Sequence, residues 1–505
     1  MREFRPGTRS PHRHRLAAMA VDHAKGRYDV IVVGAGYGGA TCAALLAGRG
    51  YRVAVIDKNP APGGKAMTLH RDGNSYEMWP IVGGPATGSR IEELLELIEA
   101  PVPEVILTPE RAAEFRYIRP DGSMTMTPVG SLPGSVMGLP ADPSVGEPEL
   151  AAAAAMAVAA LTMAENDLAL LDDVDILTWM STYDVGDVLR AHQLAILNLL
   201  FVAPVDRIPA SEALRTLKDF GLKGAGRYHA GGYAVPAELA VEYVTSRGGT
   251  YLPRTAVDRI VIENGTAIGV MASGVLVEAP VVVSNAGIQP TVLSLAGPDQ
   301  FPPAYVDRVM SLEPSWAFVG LRYFLDAPVM EVPMILQFSG QSWWDTDRYV
   351  AARAGHWPDH PLLFAATPAL YDPTLVADPS RQVVLAGTMA SPDPKSPMSA
   401  AAIERTDAEM LATWPELEGH VTRRESFTAA NTSAASRASV VPGQGGECIG
   451  LAQVIGQCGA SKPDPVTPVR GLFLTGCDAG GYGCGTHQAV ESGFVVADLV
   501  AAALG

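Results

Sequence analysis

Residues 28 to 57, YDVIVVGAGYGGATCAALLAGRGYRVAVID, decide the fold. The opening run Tyr28 to Val33 is short, apolar and β-branched, as expected of a strand buried on both faces of a parallel sheet. Gly34-Ala35-Gly36-Tyr37-Gly38-Gly39 then satisfies the pattern GxGxxG. Gly34 permits the tight turn, Gly36 lets a pyrophosphate approach the backbone, and Gly39 lets the next helix pack on the strand. Residues 40–51 are rich in Ala and Leu and predict that helix, whose first turn offers free N–H groups to phosphate. Residues 52–57 predict a second strand ending in Asp57, about 20 residues beyond Gly36, where a carboxylate accepts both ribose hydroxyls. Strand, glycine loop, helix, strand and terminal acid together specify dinucleotide binding, to an adenosine ribose without a 2′-phosphate.

Composition bounds the rest. The chain has 505 residues, 48% hydrophobic and 18% charged, enough apolar material for a large core and too little charge for disorder or a coiled coil. Its net charge of −17 repels phosphate backbones and argues against nucleic acid as a partner. No apolar run is long enough to cross a membrane; the softest stretch, Leu150 to Met163, reads as a buried or interfacial helix. Residues 1–26 carry several arginines and no apolar core, so they read as a flexible tail rather than a secretory signal, with Met19 an alternative start. The five cysteines have neither disulfide-framework nor zinc spacing, so thiols in a reducing cytoplasm and no metal are expected.

The cofactor type follows from Asp57-Lys58-Asn59-Pro60-Ala61-Pro62-Gly63-Gly64-Lys65. Paired glycines bring backbone close to a ribityl-pyrophosphate and the cation offsets its charge. This segment resembles the second fingerprint of the flavin amine oxidase superfamily, with Asp for the commoner Glu and Lys65 for Arg, and so points to FAD. Two further blocks follow in order. Thr250 to Gly287 reads as a β-meander turning at Asn264-Gly265 and closing on a buried strand. Val469 to Gly505 reads as a strand, a Gly476-Cys477-Asp478 turn, a glycine loop and a helix carrying Ser492-Gly493. Together the three blocks resemble the phytoene desaturase-like branch of that superfamily over residues 28 to 505.

The resemblance implies an α/β fold: a Rossmann-like FAD-binding domain of the GR2 type with an interleaved α+β substrate domain and a helical cap. The expected FAD-binding parts are 28–90, 230–290 and 445–505. The expected substrate domain is 91–229, with its cap at 145–225, and 291–444. It further implies that Val257 holds the adenine through its backbone, that Gly476, Asp478 and Gln488 serve the flavin end, and that Lys58 and Lys65 lie beside the phosphates. Trp79 stands where the family has a small glycine near the flavin, so it is either a core tryptophan or a wall that shortens or reshapes the substrate tunnel. Tyr482 replaces a usual proline, and His487 enters the first turn of the last helix as a proton donor, a bond to flavin O2 or a satisfied cap histidine. The implied function is FAD-dependent desaturation or saturation of a C–C bond in a lipophilic isoprenoid or other unsaturated substrate. An amine oxidase-type enzyme, an FAD-dependent double-bond isomerase and a non-enzymatic lipid carrier are the alternatives. Seven lysines, with none between Lys223 and Lys395, argue against the amine oxidase, whose relatives commonly keep a lysine over the flavin. Expected partners are the substrate and an electron acceptor (quinone, oxygen or a protein). The expected location is the cytoplasm, with peripheral contact at the inner membrane face.

Overall fold

The computed structural model describes residues 28–505 apart from 80, 82, 86, 101–104, 107–110, 135–141 and 226. The tail expected over 1–26 lies outside the described residues. Numbering only the main elements in chain order, the structure runs β1 (Val30–Val33), α1 (Tyr37–Gly48), β2 (Val53–Ile56), β3 (Ala113–Ile118) and β4 (Met124–Val129). It continues with α2 (Glu147–Thr162), α3 (Gly186–Phe201), α4 (Ala210–Lys223), α5 (Val235–Ser246), β5 (Thr250–Leu252), β6 (Val257–Glu263), β7 (Thr266–Ala272), β8 (Val275–Glu278) and β9 (Val281–Ser284). The last part holds β10 (Ala317–Leu325), β11 (Met334–Ser339), β12 (Leu363–Ala366), β13 (Gln382–Ala390), β14 (Val421–Phe427), β15 (Leu472–Leu474) and α6 (Gly485–Leu504).

Three sheets carry the architecture. A parallel five-stranded sheet has the order β15-β9-β1-β2-β5, so segments far apart in sequence meet around β1. Val30 pairs with Val53 on one side and Val281 on the other, and all four β1 residues are buried, as a doubly covered strand requires. The meander forms the antiparallel sheet β6-β7-β8 and then enters the parallel sheet as β9. The third sheet, β14-β10-β13-β12-β11-β3-β4, is antiparallel apart from the β3–β11 pair. Its strands β10 and β13 are buried along their whole length, and it forms a floor beneath the helices of residues 147–223. The apolar stretch at Leu150 is the body of α2, which buries only Ala153, Met156 and Ala160 and leaves Val158 exposed.

The C-terminal helix locks onto the nucleotide half. Ser492 Oγ accepts from the Gly476 N–H at 3.0 Å and donates to the Ala479 carbonyl at 2.6 Å, stapling the turn after β15. Next to it, Gly493 lets α6 press against Thr41 of α1; a Cβ there would lie 2.6 Å from the Thr41 Cβ.

Two imidazoles sit inside this framework without charge partners. His192 packs against Tyr117 and edge-on to Phe338, and burial lowers its pKa to about 4. Burial, aided by Arg227, lowers that of His229 to about 3. In both cases the unfolded chain binds the proton more tightly, so stability is full above the unfolded value of about 6.5 and declines as pH falls toward the folded values. Thermal melts from pH 7 to pH 4 are expected to show this decline, and His192→Phe to flatten it; a His192→Phe profile parallel to wild type contradicts the assignment.

Candidate cofactor and substrate site

A cavity of about 760 Å³ runs from the ends of β1 and β2 to the gap between the cap helices and the floor. Its first half is built from the glycine loops. Gly34 adopts φ +98°, which turns the chain directly after β1. Gly36 and Gly64 approach so closely that a Cβ on Gly64 would lie 3.1 Å from the Gly36 Cα. Both predicted fingerprints therefore meet in one cradle of backbone. Asp57, 5% exposed, accepts from the Ala35 N–H at 2.6 Å through Oδ2 and from the Asn59 N–H at 2.6 Å through Oδ1. Burial raises its pKa while these two amides oppose the rise. Lys58, Gly63 and Val257 line the same end, with Val257 opening β6. Gly39 lies behind the cradle, not on it: its missing Cβ would sit 2.0 Å from the Gly34 carbonyl oxygen, the helix-on-strand packing read from the sequence.

At the middle of the cavity the structure adds residues that no spacing announced. Arg437, 8% exposed, is bound by both carboxylate oxygens of Asp478, one at 2.6 Å, and its Nε donates to Glu447 at 2.6 Å. The guanidinium lies over Gly287, where a Cβ would come within 2.6 Å of Cζ. Asp478 also accepts from the Ile288 N–H at 2.8 Å and the Leu451 N–H at 3.0 Å. Lys65 Nζ donates to the Glu447 carbonyl at 2.7 Å and the Ile449 carbonyl at 3.0 Å; burial lowers its pKa and Glu447 opposes this. Asp478 reaches the cavity but spends its lone pairs on Arg437 and two amides instead of standing free for ribityl hydroxyls. Lys65 lies beside the cradle, yet two of its donors already serve the chain.

The far half is apolar: Trp79, Leu199, Leu200, Phe220, Phe318 and Phe364 face one another there. Trp79 is 5% exposed and its indole N–H has no partner among the described residues. Gly476, Gly485, Thr486 and Ala489 place the N-terminal turn of α6 against the junction of the two halves, its positive end toward the cavity.

Three expected site residues lie elsewhere. His487 does not line the cavity: one residue on from Thr486 the helix has rotated, and the ring stands by Gly483 among Asp219, Lys223, Glu491 and Arg90. Burial lowers its pKa. Gln488 is buried away from the cavity, accepting from Gln453 Nε2 at 3.0 Å. Tyr482 is 52% exposed and receives the Arg215 and Lys462 cations on its ring. A loop of four glycines in six residues, 480–485, gave no periodicity from which to read these directions.

The residues fit FAD: a polar cradle without side chains, a buried carboxylate at the ribose end, a helix N-terminus at the far end of that half, and an indole N–H left unpaired in the wall. The class is a fold built on a Rossmann-like dinucleotide-binding unit. A profile of the NAD(P)-binding Rossmann-like domain matches residues 32–89. Cyclohexylamine oxidase from Brevibacterium oxydans superposes with a TM-score of 0.62 at 16% identity, covering 94% of this chain and 98% of that one. The neurosporene-forming phytoene desaturase of Cereibacter sphaeroides is 26% identical over 309 residues, 52% of this chain and about half (54%) of the desaturase. Human all-trans-retinol 13,14-reductase is 24% identical over 96% of this chain and 87% of the reductase. The chain is thus similar to phytoene desaturases and to a retinol reductase in sequence and to flavin amine oxidases in fold, and it spans about half the length of the first of these desaturases.

Asp57→Ala is expected to weaken FAD binding by about 1.5–3 kcal/mol, the worth of charge-assisted bonds to the ribose. The two amides it now holds would also be released. Flavin retained through gel filtration and dialysis as in wild type contradicts the ribose assignment.

Proposed function

We propose that this protein is an FAD-dependent oxidoreductase that removes or adds hydrogen across a C–C bond of a lipophilic, isoprenoid-type substrate. The observation that carries the reading is the second half of the cavity. Its walls (Trp79, Leu199, Leu200, Phe220, Phe318 and Phe364) are apolar and continuous with the cofactor cradle. A hydrocarbon gains free energy by leaving water for such walls, whereas an ammonium substrate would lose hydration without a partner. Bound FAD supplies hydride acceptance and return. The protein's own part is placement: Trp79 closes one wall, the phenylalanines of β10 and β12 form the floor, and the Leu pair of α3 excludes water from above. The positive end of α6 stabilises negative charge at the junction. Among the described residues of these walls no carboxylate, amine or imidazole stands, so the reaction leans on position and electrostatics instead of general acid–base groups. The amine-oxidising alternative lacks the expected lysine and an acceptor for an ammonium group.

The electron acceptor is a quinone, oxygen or a partner protein, and contact with a membrane is peripheral. No helix among the described residues is long and apolar enough to cross one. Exposed Val158, Leu170 and Leu222 on the cap side support apolar contact with a bilayer, and the net charge of −17 disfavours anionic headgroups. Flotation with zwitterionic liposomes is expected; protein that never co-floats contradicts membrane contact. The reaction itself is tested by product mass: isoprenoids of graded unsaturation should gain or lose two hydrogens, and primary amines should be unchanged. Deamination without any isoprenoid product would reverse the reading.

A further inference from the structure

We infer that a second chamber behind the main cavity receives the far end of the substrate chain, and that Leu199, Leu200, Phe220 and Phe364 form the gate that sets the accepted chain length; this rests on the function proposed above. The chamber, about 50 Å³, lies between α3 and α4 of the cap and β3 and β11 of the floor. These four gate residues line both spaces, so the partition is one side chain thick. Every other described lining residue, among them Ala113, Ile196, Met334 and Leu336, is apolar or glycine. A water molecule needs two to four polar partners, and the described residues of this lining offer no polar side chain. An unfilled apolar space forfeits dispersion contacts in a core otherwise packed to crystal density. A branched hydrocarbon end of a few carbons restores those contacts.

The gate is tied to both halves of the site. The Phe220 ring lies on the bare backbone of Gly84, where a Cβ would come 2.7 Å from Cε1, so that ring position requires glycine. Phe364 is held edge-on by Phe318 of the floor at a 6.1 Å centroid distance. The Leu200 carbonyl accepts from the Cys484 thiol at the N-cap of α6, which couples this turn of the cap to the cofactor end. A chain whose reacting bond lies near Trp79 and α6 therefore meets the gate at a fixed reach. Chains too short to pass it leave the chamber unused; chains that end inside it gain its contacts.

The test uses the FAD-loaded full chain and saturated, unreactive isoprenoid alcohols of two, three and four isoprene units, with binding read by tryptophan fluorescence. Ala113→Leu fills the chamber, and Leu199→Ala widens the gate. Ala113→Leu should weaken the longest alcohol that wild type binds well by about ten-fold or more, the range for loss of a hydrophobic group's pocket, and leave shorter ones at wild-type affinity. Leu199→Ala should extend the accepted length by one unit. Xenon NMR on wild type gives a reading that needs no variant to fold: a slowly exchanging xenon signal should be displaced by the long alcohol and not by the short one. Equal changes across all lengths, or xenon displaced equally by every alcohol, overturns the inference. If flavin is still reduced by unsaturated isoprenoids in that case, only the chamber's role falls; if wild type neither binds nor is reduced by any isoprenoid, the proposed function falls with it.

Discussion

Arg437→Met is expected to destabilise the protein by about 3–5 kcal/mol, because it leaves two buried carboxylates without their cation. Asp478 and Glu447 are 4% and 2% exposed, and both lean on that one guanidinium. Methionine fills much of the same volume, so the loss reports charge more than packing. The double variant Arg437→Met, Asp478→Asn should recover part of it, since one of the stranded charges is removed. Burial works against the Asp478 carboxylate, but Arg437 and the Ile288 and Leu451 amides hold its pKa below the usual range. Its contribution is therefore present above the unfolded carboxyl value of about 3.9 and is lost as pH falls through the lower, folded value. Thermal melts of wild type, single and double variants at pH 7 measure the coupling. A single variant melting within about 1 °C of wild type would show that the triad contributes nothing.

Trp79→Gly is the second large change. Truncating so large a buried ring costs about 3–5 kcal/mol when the ring is core. Trp79, however, also lines the cavity, with its indole N–H unpartnered. The variant is therefore expected to lose stability and also to shift chain-length preference, raising turnover of long polyenes while loosening the hold on compact substrates. Melting temperature and the ratio of turnover across chain lengths separate the two contributions. A stability loss with an unchanged ratio would make Trp79 a core residue alone, and efficient wild-type turnover of full-length carotenoids would contradict the short-tunnel reading.

The fold was legible where the sequence carries periodic or turn-specific constraints. Val30 to Val33 can be read as a central strand because β-branched residues on both faces suit nothing else. Gly36 and Gly64 can be read as a cradle because no Cβ fits there. The meander turned at Asn264-Gly265 as expected, with both residues at positive φ. What stayed hidden depends on direction. Arg437 and Glu447 sit in a segment without repeating pattern, and nothing in Ser436-Arg437-Ala438 reveals that the guanidinium crosses to Asp478 from a different part of the chain. His487 and Gln488 follow Thr486 directly, but a helix turns about 100° per residue, so neighbours in sequence face opposite ways. The glycine-rich approach to α6 leaves its phase undefined until the packing of Gly493 on Thr41 sets it.

The most direct test of the account is anaerobic mixing of the flavin-loaded protein with a panel of isoprenoids and amines, followed by the visible absorption of the flavin. Bleaching by one or more isoprenoids, with the paired product recovered, and no response to primary amines is the predicted result. Protein purified without flavin, or flavin bleached by an amine and by no isoprenoid, would contradict it.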